Sequence, residues 1–390
     1  MADNEHRQAM RIAPESVRTL DSMDSEAEGA LEPRRCCCTA RVRCCYYCGP
    51  KMPRWACGSM CLVLTYIVAT PILYGLMHLV AFPGNIEGDY SIPGASEIEF
   101  PAARTDGRML HGLVLPVPRR SALASQVEQA PMIFFGGNAQ GMSGAARDSQ
   151  ILLSMIRKAN KSWNFKVHTF AQRGYSPNQG WTSQGAVIAD SSDLLDSVLN
   201  STVETGGRRG RVIIGGWSMG AGVALQLAAA RPEHVAGVVV FCPWKSLKFE
   251  TLRIFAPVTW MLWPWIWLVE PWDSRAAIAS LPAEIPVAVV SAEKDQVISP
   301  DQHRTIFEAS NAKQKWWLPA RGASHQMLGS LVNQGRKGLA QWTKAVWNRV
   351  QVFEISELEV SSREPAINVA AETAFDLFEE PLESISHMFT

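Results

Sequence analysis

The stretch that most constrains this chain is RVIIGGWSMGAGVALQLAAA, residues 211–230, where a strand, a tight turn and a helix follow one another directly. Val212 to Ile214 is a short β-branched run, typical of a strand buried on both faces, and Met219 to Ala230 has the alanine and leucine content of a helix. Ser218 lies at the turn, with a glycine two residues away on each side. This G-x-S-x-G spacing indicates a nucleophile elbow, although a glycine-rich turn with an idle serine would show the same letters.

Composition sets the broad class of the protein. The 390 residues are 47% hydrophobic and 19% charged, with a formal net charge of zero, which is enough apolar material for a large core. The neutral balance gives no reason to expect nucleic acid as a partner. The length allows one large α/β domain with appendages.

Strand and helix patterns alternate over residues 97–350, which predicts an α/β domain with a mostly parallel central sheet and helices on both faces. No internal repeat is apparent. The predicted strands are 97–100 and 109–116 as an opening antiparallel pair, then 131–135, 165–171, 212–214, 235–241, 287–291 and 313–318. The predicted helices are 143–158, 183–199, 219–230 and a last one that ends near Val350.

The region before this domain changes character twice. Residues 1–33 are polar without hydrophobic period, and we expect them to be disordered. Residues 34–58 are basic and rich in cysteine, and the thiols allow several interpretations. Zinc binding would need more paired C-x-x-C units than the one from Cys45 to Cys48, and disulfides are awkward for three adjacent cysteines. S-palmitoylation beside a membrane is the favoured interpretation, with unmodified thiols as the alternative; the candidate acylation sites are Cys36, Cys37, Cys38, Cys44, Cys45 and Cys48.

Residues 59–82 contain no formally charged residue and are long enough to cross a bilayer of roughly 30 Å as a helix, which Pro71 could kink. They lie too far from the first residue for a cleaved signal peptide, so they predict a signal anchor. Arginine and lysine precede the segment and carboxylates follow it, so we expect a cytosolic N terminus and a lumenal or extracellular catalytic domain, in an endomembrane or the plasma membrane. Asn160 and Asn200 would then be exposed glycosylation sequons. The alternative is a hairpin at Pro71 with an acyl-anchored domain on the cytosolic face.

Two further residues complete a nucleophilic site. A serine hydroxyl needs a base to accept its proton, and the base needs a carboxylate to orient it. Asp295 lies in the turn after the strand 287–291, and His325 lies in the glycine- and alanine-rich loop after the last strand. This order along the chain, serine, acid, histidine, is the one found with nucleophile elbows. Glu293 and Asp301 compete with Asp295 for the acid role.

A tetrahedral oxyanion also requires backbone donors. One should be the N–H of Met219, directly after the nucleophile at a helix N-terminus. The second should come from the loop GGNAQG after strand 131–135, where we assign the N–H of Asn138, with Ala139 as the fallback. A plain glycine-rich turn is the alternative interpretation of this loop.

Several segments together resemble a known family. FFGGNAQG, QRGYSPNQGWTSQG, GWSMGAG, PWDSRAAIASL, EKDQVISPDQH and GASHQ follow the order and approximate spacing of α/β-hydrolase-fold serine hydrolases, specifically the membrane-anchored bud-emergence-like group. The resemblance covers about residues 98–350. It implies hydrolysis of acyl esters or thioesters of lysophospholipids, monoacylglycerols or palmitoylated proteins, with Ser218, Asp295, His325 and the amides of Asn138 and Met219 as the matching positions. The chain departs from the group at Gly136, where histidine is usual, and at Ser176, where glycine is usual.

The cap position and the C-terminal tail have no assigned chemistry. The cap position, about 243–280, is rich in tryptophan and proline, and it predicts either a buried lid helix or an acyl-chain pocket or lid that dips into a membrane. Residues 351–390 form an acidic tail, which we expect to be solvated and partly helical.

These features predict a membrane-anchored serine hydrolase that forms an acyl-enzyme on Ser218, with His325 as base and then acid, and with Asp295 orienting it. We expect no cofactor and no metal, and the expected partners are the bilayer and a lipid or acylated substrate. A depalmitoylating thioesterase is the alternative if the domain is cytosolic. A catalytically silent, membrane-anchored scaffold of the same fold is the alternative from a different class.

Overall fold

The computed structural model describes residues 54–84, 91–115, 129–159, 164–204, 210–254, 272–347 and 349–350. The predicted disordered N terminus, the candidate acylation cysteines, Asn160, the middle of the predicted cap and the acidic tail lie outside the described residues. The chain divides into one unit up to Leu62 and a second unit from Val63 onward. The second unit contains the sheet and the candidate site.

The predicted signal anchor coincides with the first helix, α1 (Arg54–Ala81), which has Pro71 inside it. Its apolar side chains Val63, Leu64, Ile67, Val68 and Ile72 are exposed. No helix within the described residues has both the length and the apolar character that crossing a bilayer requires. The signal anchor stays a prediction of the sequence.

The strands form one eight-stranded sheet in the order β1-β2-β4-β3-β5-β6-β7-β8. The pairs β1–β2 and β2–β4 are antiparallel and all the other pairs are parallel. The opening antiparallel pair and the mostly parallel sheet agree with the sequence prediction. The strands are β1 (Ser96–Pro101), β2 (Met109–Leu115), β3 (Gln129–Phe135), β4 (Asn164–Phe170), β5 (Val212–Trp217), β6 (Val235–Phe241), β7 (Val287–Ala292) and β8 (Lys315–Ala320).

Helices connect the parallel strands. The described helices after α1 are α2 (Met142–Ala159), α3 (Gln184–Glu204), α4 (Met219–Ala230), α5 (Leu247–Ile254), α6 (Ser274–Ser280), α7 (Pro300–Ala309) and α8 (Leu328–Trp347), with a short 3₁₀ turn at Pro232–His234. The predicted helices 143–158 and 219–230 agree closely with α2 and α4. The last helix ends three residues before the predicted Val350.

Alternation along the buried strands assigns the helices to two layers. On β5, Ile213 belongs to the same apolar cluster as the inner faces of α2 and α8, whereas its neighbours Val212 and Ile214 belong to a second cluster with α3 and α4. Successive side chains of a strand point to opposite faces of the sheet, so the two clusters are the two faces. The central sheet is therefore covered by helices on both sides, as predicted.

The turn after β5 depends on close backbone contacts. A Cβ atom on Gly216 would lie 2.2 Å from the carbonyl oxygen of Gly220, and a Cβ on Gly220 would lie 2.2 Å from that of Phe135. No side chain fits at either position. This is the physical reason for the two glycines that flank Ser218, and it places the start of α4 directly against the end of β3.

Candidate active site

Ser218 occupies the turn between β5 and α4 in a conformation that L-residues rarely adopt. Its backbone angles are φ 55° and ψ −118°, and such a conformation costs on the order of 1–3 kcal/mol. The Ser218 N–H donates to the carbonyl of Phe241 at 2.9 Å, and the Ala221 N–H donates to the Ser218 carbonyl at 3.0 Å. The neighbouring strand and the new helix thus hold the serine in its strained turn.

The structure brings together the three side chains that the sequence predicted. The Nε2 atom of His325 lies 2.8 Å from Ser218 Oγ, and its Nδ1 atom lies 2.7 Å from Asp295 Oδ2. An ionised carboxylate only accepts hydrogen bonds, so Nδ1 carries the proton and Nε2 is left to accept from the serine hydroxyl. Both imidazole nitrogens are therefore in the arrangement that general-base activation of a serine requires.

The surroundings of Asp295 keep it ionised. Burial raises the pKa of its carboxyl group, but the hydrogen bond from His325, the backbone N–H of Ile298 and the neighbouring imidazoles together hold that pKa below its usual value. Oδ1 accepts the N–H groups of Val297 at 2.9 Å and Ile298 at 2.7 Å. The charged carboxylate is thus fixed by backbone donors on one oxygen and by His325 on the other.

The competing acids lie elsewhere. Glu293 accepts the N–H of Gly322 at 2.7 Å, and the Lys294 N–H donates to the carbonyl of Ala323 at 2.9 Å, so these two residues join the acid turn to the loop that carries His325. Asp301 lies in the first turn of α7. Of the three candidate acids, Asp295 is the one bonded to His325.

Two buried residues that the sequence did not single out contact this group. Trp217 packs beside His325, with ring centroids 5.4 Å apart. Cys242, directly after β6, has a positive φ of 47° and a buried side chain. Burial and the nearby Asp295 raise the pKa of the Cys242 thiol well above its usual value, so it stays a neutral thiol beside the carboxylate.

Cys242, Asp295 and His325 could also offer ligand atoms to a metal ion, since one such atom from each lies within 4.8 Å of the others. Asp295 Oδ2 and His325 Nδ1 are already joined by a hydrogen bond. A metal ion coordinated by these two atoms would have to replace that hydrogen bond.

The loop after β3 is held by a side chain that sequence reasoning missed. Gln140 accepts the N–H of Gly137 at 2.7 Å and donates to Asp148 on α2 at 3.1 Å. A small cavity lies beside this loop and is lined by Gly137, Gln140, Tyr175 and Met219, among others. The cavity thus lies between this loop and Met219.

The two candidate second oxyanion donors differ in their contacts. The Ala139 N–H donates to Asn138 Oδ1 at 3.0 Å, so the fallback donor is already used within the loop. Tyr175 also donates its hydroxyl to Asn138 Oδ1, at 2.6 Å. The side chain of Asn138 therefore helps to shape the loop, and the oxyanion role of its own N–H stays a prediction, as does that of Met219.

The structure also accounts for the two departures from the family pattern. A Cβ atom on Gly136 would lie 2.8 Å from the Cβ of Ala145 and 2.9 Å from Gln140 Oε1, so a larger residue has no room where α2 packs this close. Ser176 is not among the described residues with positive φ, so its position does not demand glycine. Asn178 ties that loop to the sheet through the backbone of His111 and Ala171.

Comparison with known proteins places the chain in a family. A model of the alpha/beta hydrolase family matches residues 144–372, more than half of the chain. The protein bem46 of Schizosaccharomyces pombe is 21% identical over 262 residues, which cover 66% of this chain and 83% of that protein. The alpha/beta hydrolase domain-containing protein WAV2 of Arabidopsis thaliana is 25% identical over 171 residues, which cover 41% of this chain and 54% of WAV2.

Solved structures that align with this chain include esterases. The Pyrococcus furiosus esterase Pf2001 aligns with a TM-score of 0.49 at 15% identity and covers 67% of this chain and 98% of its own. The carboxylesterase EstE1, cloned from a metagenomic library, aligns with a TM-score of 0.45 at 15% identity, over 68% of this chain and 92% of its own. The family match and the two protein relatives confirm the predicted resemblance: this chain is a hydrolase that belongs to the alpha/beta hydrolase family, within the bud-emergence-like group.

Proposed function

We propose that this hydrolase cleaves acyl esters at a membrane through an acyl-enzyme on Ser218. The observation that carries the proposal is the unbroken hydrogen-bonded chain from Ser218 through His325 to Asp295, in which each distance is 2.7 or 2.8 Å. A silent scaffold has no need to keep a serine in a strained turn within bonding distance of an oriented imidazole.

Acylation begins when Ser218 Oγ attacks the acyl carbon and His325 Nε2 accepts the hydroxyl proton. The oxyanion that forms accepts the N–H groups of Met219 and Asn138. Asp295 stabilises the imidazolium through Nδ1. The C–O bond to the leaving alcohol then breaks, and the proton on His325 Nε2 passes to the alcohol oxygen.

Deacylation repeats these steps with water. His325 Nε2 takes a proton from the water molecule, whose oxygen attacks the acyl carbon of the Ser218 ester. The bond to Oγ breaks, and the proton returns to Ser218. The free acid then leaves, and Ser218 and His325 are ready for another cycle.

The distribution of exposed apolar side chains supports a lipid-like substrate. Outside α1, the large exposed apolar residues in the described part of the chain include Trp181 after β4, Phe249 after β6, Val297 after β7 and Met327 after β8. The carboxyl ends of parallel strands lie at one edge of a sheet, which is also where Ser218 and His325 lie. An acyl chain or a bilayer surface would find apolar contacts at this edge.

Membrane attachment is a second part of the proposal, and it rests on the apolar segment 59–82 and the basic residues before it. We propose a single-pass anchor with a cytosolic N terminus and S-acylated cysteines. Resistance to alkaline extraction, and a glycosidase-sensitive mass that is lost in Asn160→Gln/Asn200→Gln, would support this topology. An extraction-resistant protein without glycan would favour the cytosolic alternative and a depalmitoylating thioesterase.

The test of the chemistry is turnover of 4-nitrophenyl butyrate and of a butyryl thioester by the full chain. We expect hydrolysis by the wild type that disappears in Ser218→Ala, because this change removes the hydroxyl that is hydrogen-bonded to His325. Ser280→Ala, at an exposed residue at the end of α6 whose hydroxyl donates to the carbonyl of Ala277, is the matched control and should be fully active. Binding of the ester without turnover would favour the scaffold, and equal turnover by wild type and Ser218→Ala would overturn the proposal.

A further inference from the structure

A second buried imidazole faces the carboxylate of Asp295. His303, on α7, is fully buried, and its Nε2 atom lies 3.5 Å from Asp295 Oδ2, the same oxygen that accepts the proton of His325 Nδ1. Nε2 of His303 makes no hydrogen bond within the described part of the chain. The proposed reaction does not use this ring. Burying an imidazole against a buried carboxylate costs free energy unless the positive, N–H end of the imidazole dipole faces the negative charge.

The other nitrogen of His303 determines which way the ring is protonated. His303 Nδ1 lies 2.9 Å from the hydroxyl of Ser291, which is buried near the end of β7. If Ser291 donates to Nδ1, then Nε2 carries the proton and presents it to Asp295. The opposite tautomer would turn a lone pair toward the carboxylate, which is electrostatically unfavourable.

The ring is also neutral near pH 7. Burial lowers the pKa of His303 to about 4, although the charge of Asp295 opposes that change. A neutral His303 places no second positive charge beside the imidazolium that forms on His325 during the reaction. It offers a dipole instead, with its N–H end toward the carboxylate.

The two oxygens of Asp295 are held differently. Oδ1 has the backbone N–H groups of Val297 and Ile298, whereas Oδ2 has His325 and, more distantly, His303. At 3.5 Å the His303 contact is longer than an ordinary hydrogen bond. It acts as a directional charge–dipole contact that opposes rotation of the carboxylate away from His325.

We propose that His303 is a positioning residue that acts through Asp295, with Ser291 fixing its tautomer. Its Nε2–H holds Oδ2 in the orientation in which Asp295 receives the His325 proton, so the path from Ser291 to Ser218 contains two imidazoles and one carboxylate. The inference rests on the proposed function, since Asp295 and His325 have the roles assigned there.

The test compares variants that remove or keep the donor. His303→Met removes the N–H at similar volume, whereas His303→Gln keeps an amide N–H at a comparable distance from the backbone. For 4-nitrophenyl butyrate we expect His303→Met to lower kcat about tenfold with KM within about twofold, and His303→Gln to restore most of the loss, since one weakened contact to a charged group corresponds to about that factor.

A buried histidine in β4 provides the matched control. His168 is also buried, with an Nδ1 atom that lacks a hydrogen-bond partner among the described residues, and it lies two sheet neighbours away from β5. His168→Met should destabilise the fold as His303→Met does and leave kcat unchanged. A kcat that falls equally in both would reduce His303 to a structural role.

A second variant, Ser291→Ala, and an NMR measurement of one proton keep the test informative if His303→Met misfolds or if the proposed function is wrong. Ser291→Ala leaves His303 in place and should lower kcat about two- to threefold. The proton between His325 Nδ1 and Asp295 should resonate far downfield, and we expect that resonance to shift in His303→Met and to stay in His303→Gln. An unshifted resonance or a wild-type kcat in folded His303→Met overturns the inference, whereas an inactive wild type overturns the proposed function.

Discussion

The loop that carries His325 and the helix that carries His303 each bring an imidazole to one oxygen of Asp295, yet only the first imidazole reaches Ser218. His325 follows an edge strand, packs beside Trp217 and lies 2.8 Å from Ser218 Oγ. His303 lies on α7, where its far nitrogen meets Ser291 instead. The two rings therefore differ in the serine that their second nitrogen contacts, and on this difference we base the proposed roles, proton transfer for His325 and orientation of the carboxylate for His303.

The largest expected difference between the two rings is catalytic. His325→Ala removes the group that accepts the Ser218 proton, and we expect kcat for 4-nitrophenyl butyrate to fall by roughly 10⁶-fold. His303→Met should cost only about tenfold. Steady-state kinetics of the two variants measure the contrast directly, and losses of similar size would contradict the division of roles.

The second-largest expected loss of kcat follows from a change at Asp295, the carboxylate that both rings contact. Asp295→Asn keeps the shape of the side chain but removes its charge, so the His325 tautomer is no longer fixed and the imidazolium is no longer stabilised. We expect kcat to fall by about 10⁴-fold, with KM little changed. If Asp295→Asn lost less than His303→Met, the assignment of Asp295 as the orienting acid would be wrong.

A double-mutant cycle tests whether His303 acts through that carboxylate. If it does, His303→Met has nothing further to disturb once Asp295 is replaced by asparagine. We expect the loss of about tenfold caused by His303→Met in the wild type to shrink to less than about twofold in the Asp295→Asn protein. Undiminished, additive losses in the double variant would mean that His303 influences the reaction by another route.

The smallest expected effect concerns stability in acid. Burial lowers the pKa of His303 from 6.5 to about 4 and that of His168 to about 3. Below pH 6.5 the unfolded chain takes up protons at these rings and the folded chain does not, so stability is present above pH 6.5 and falls as the pH falls toward 4.

His303→Gln removes one of the two rings that take up a proton on unfolding. Urea unfolding between pH 6 and 5 should show a pH slope lower than that of the wild type by about 1.2 kcal/mol per pH unit, since the unfolded imidazole binds slightly less than one proton more than the folded one in this range. Carboxyls with lowered pKa values, such as Asp295, enter only near pH 4 and below. An unchanged slope would mean that His303 is protonated in the folded protein.

The sequence was sufficient to predict which three side chains meet at the candidate site. Ser218, Asp295 and His325 each follow a strand, and the ends of parallel strands converge, so a local pattern predicted a contact between distant residues. The flanking glycines were predictable for the same reason, because the close approach of β3 and α4 is a property of the turn itself.

Other features depend on packing that no local pattern reports. His303 has the sequence signature of an ordinary helix residue, and its contact with Asp295 arises only because α7 packs back on β7. Gln140 supports the loop after β3 by bonding to Gly137 and to Asp148, and this contact could not be predicted because it depends on the position of α2. The predicted strand 313–318 is observed as Lys315–Ala320, since an edge strand tolerates Pro319.

The most direct test of the central claim is the site of covalent labelling by a fluorophosphonate, read by peptide mass spectrometry on the full chain. We predict one adduct, on the Ser218 hydroxyl, that is absent from Ser218→Ala and forms far more slowly in His325→Ala. An adduct on a different residue, or equal labelling of wild type and Ser218→Ala, would contradict it.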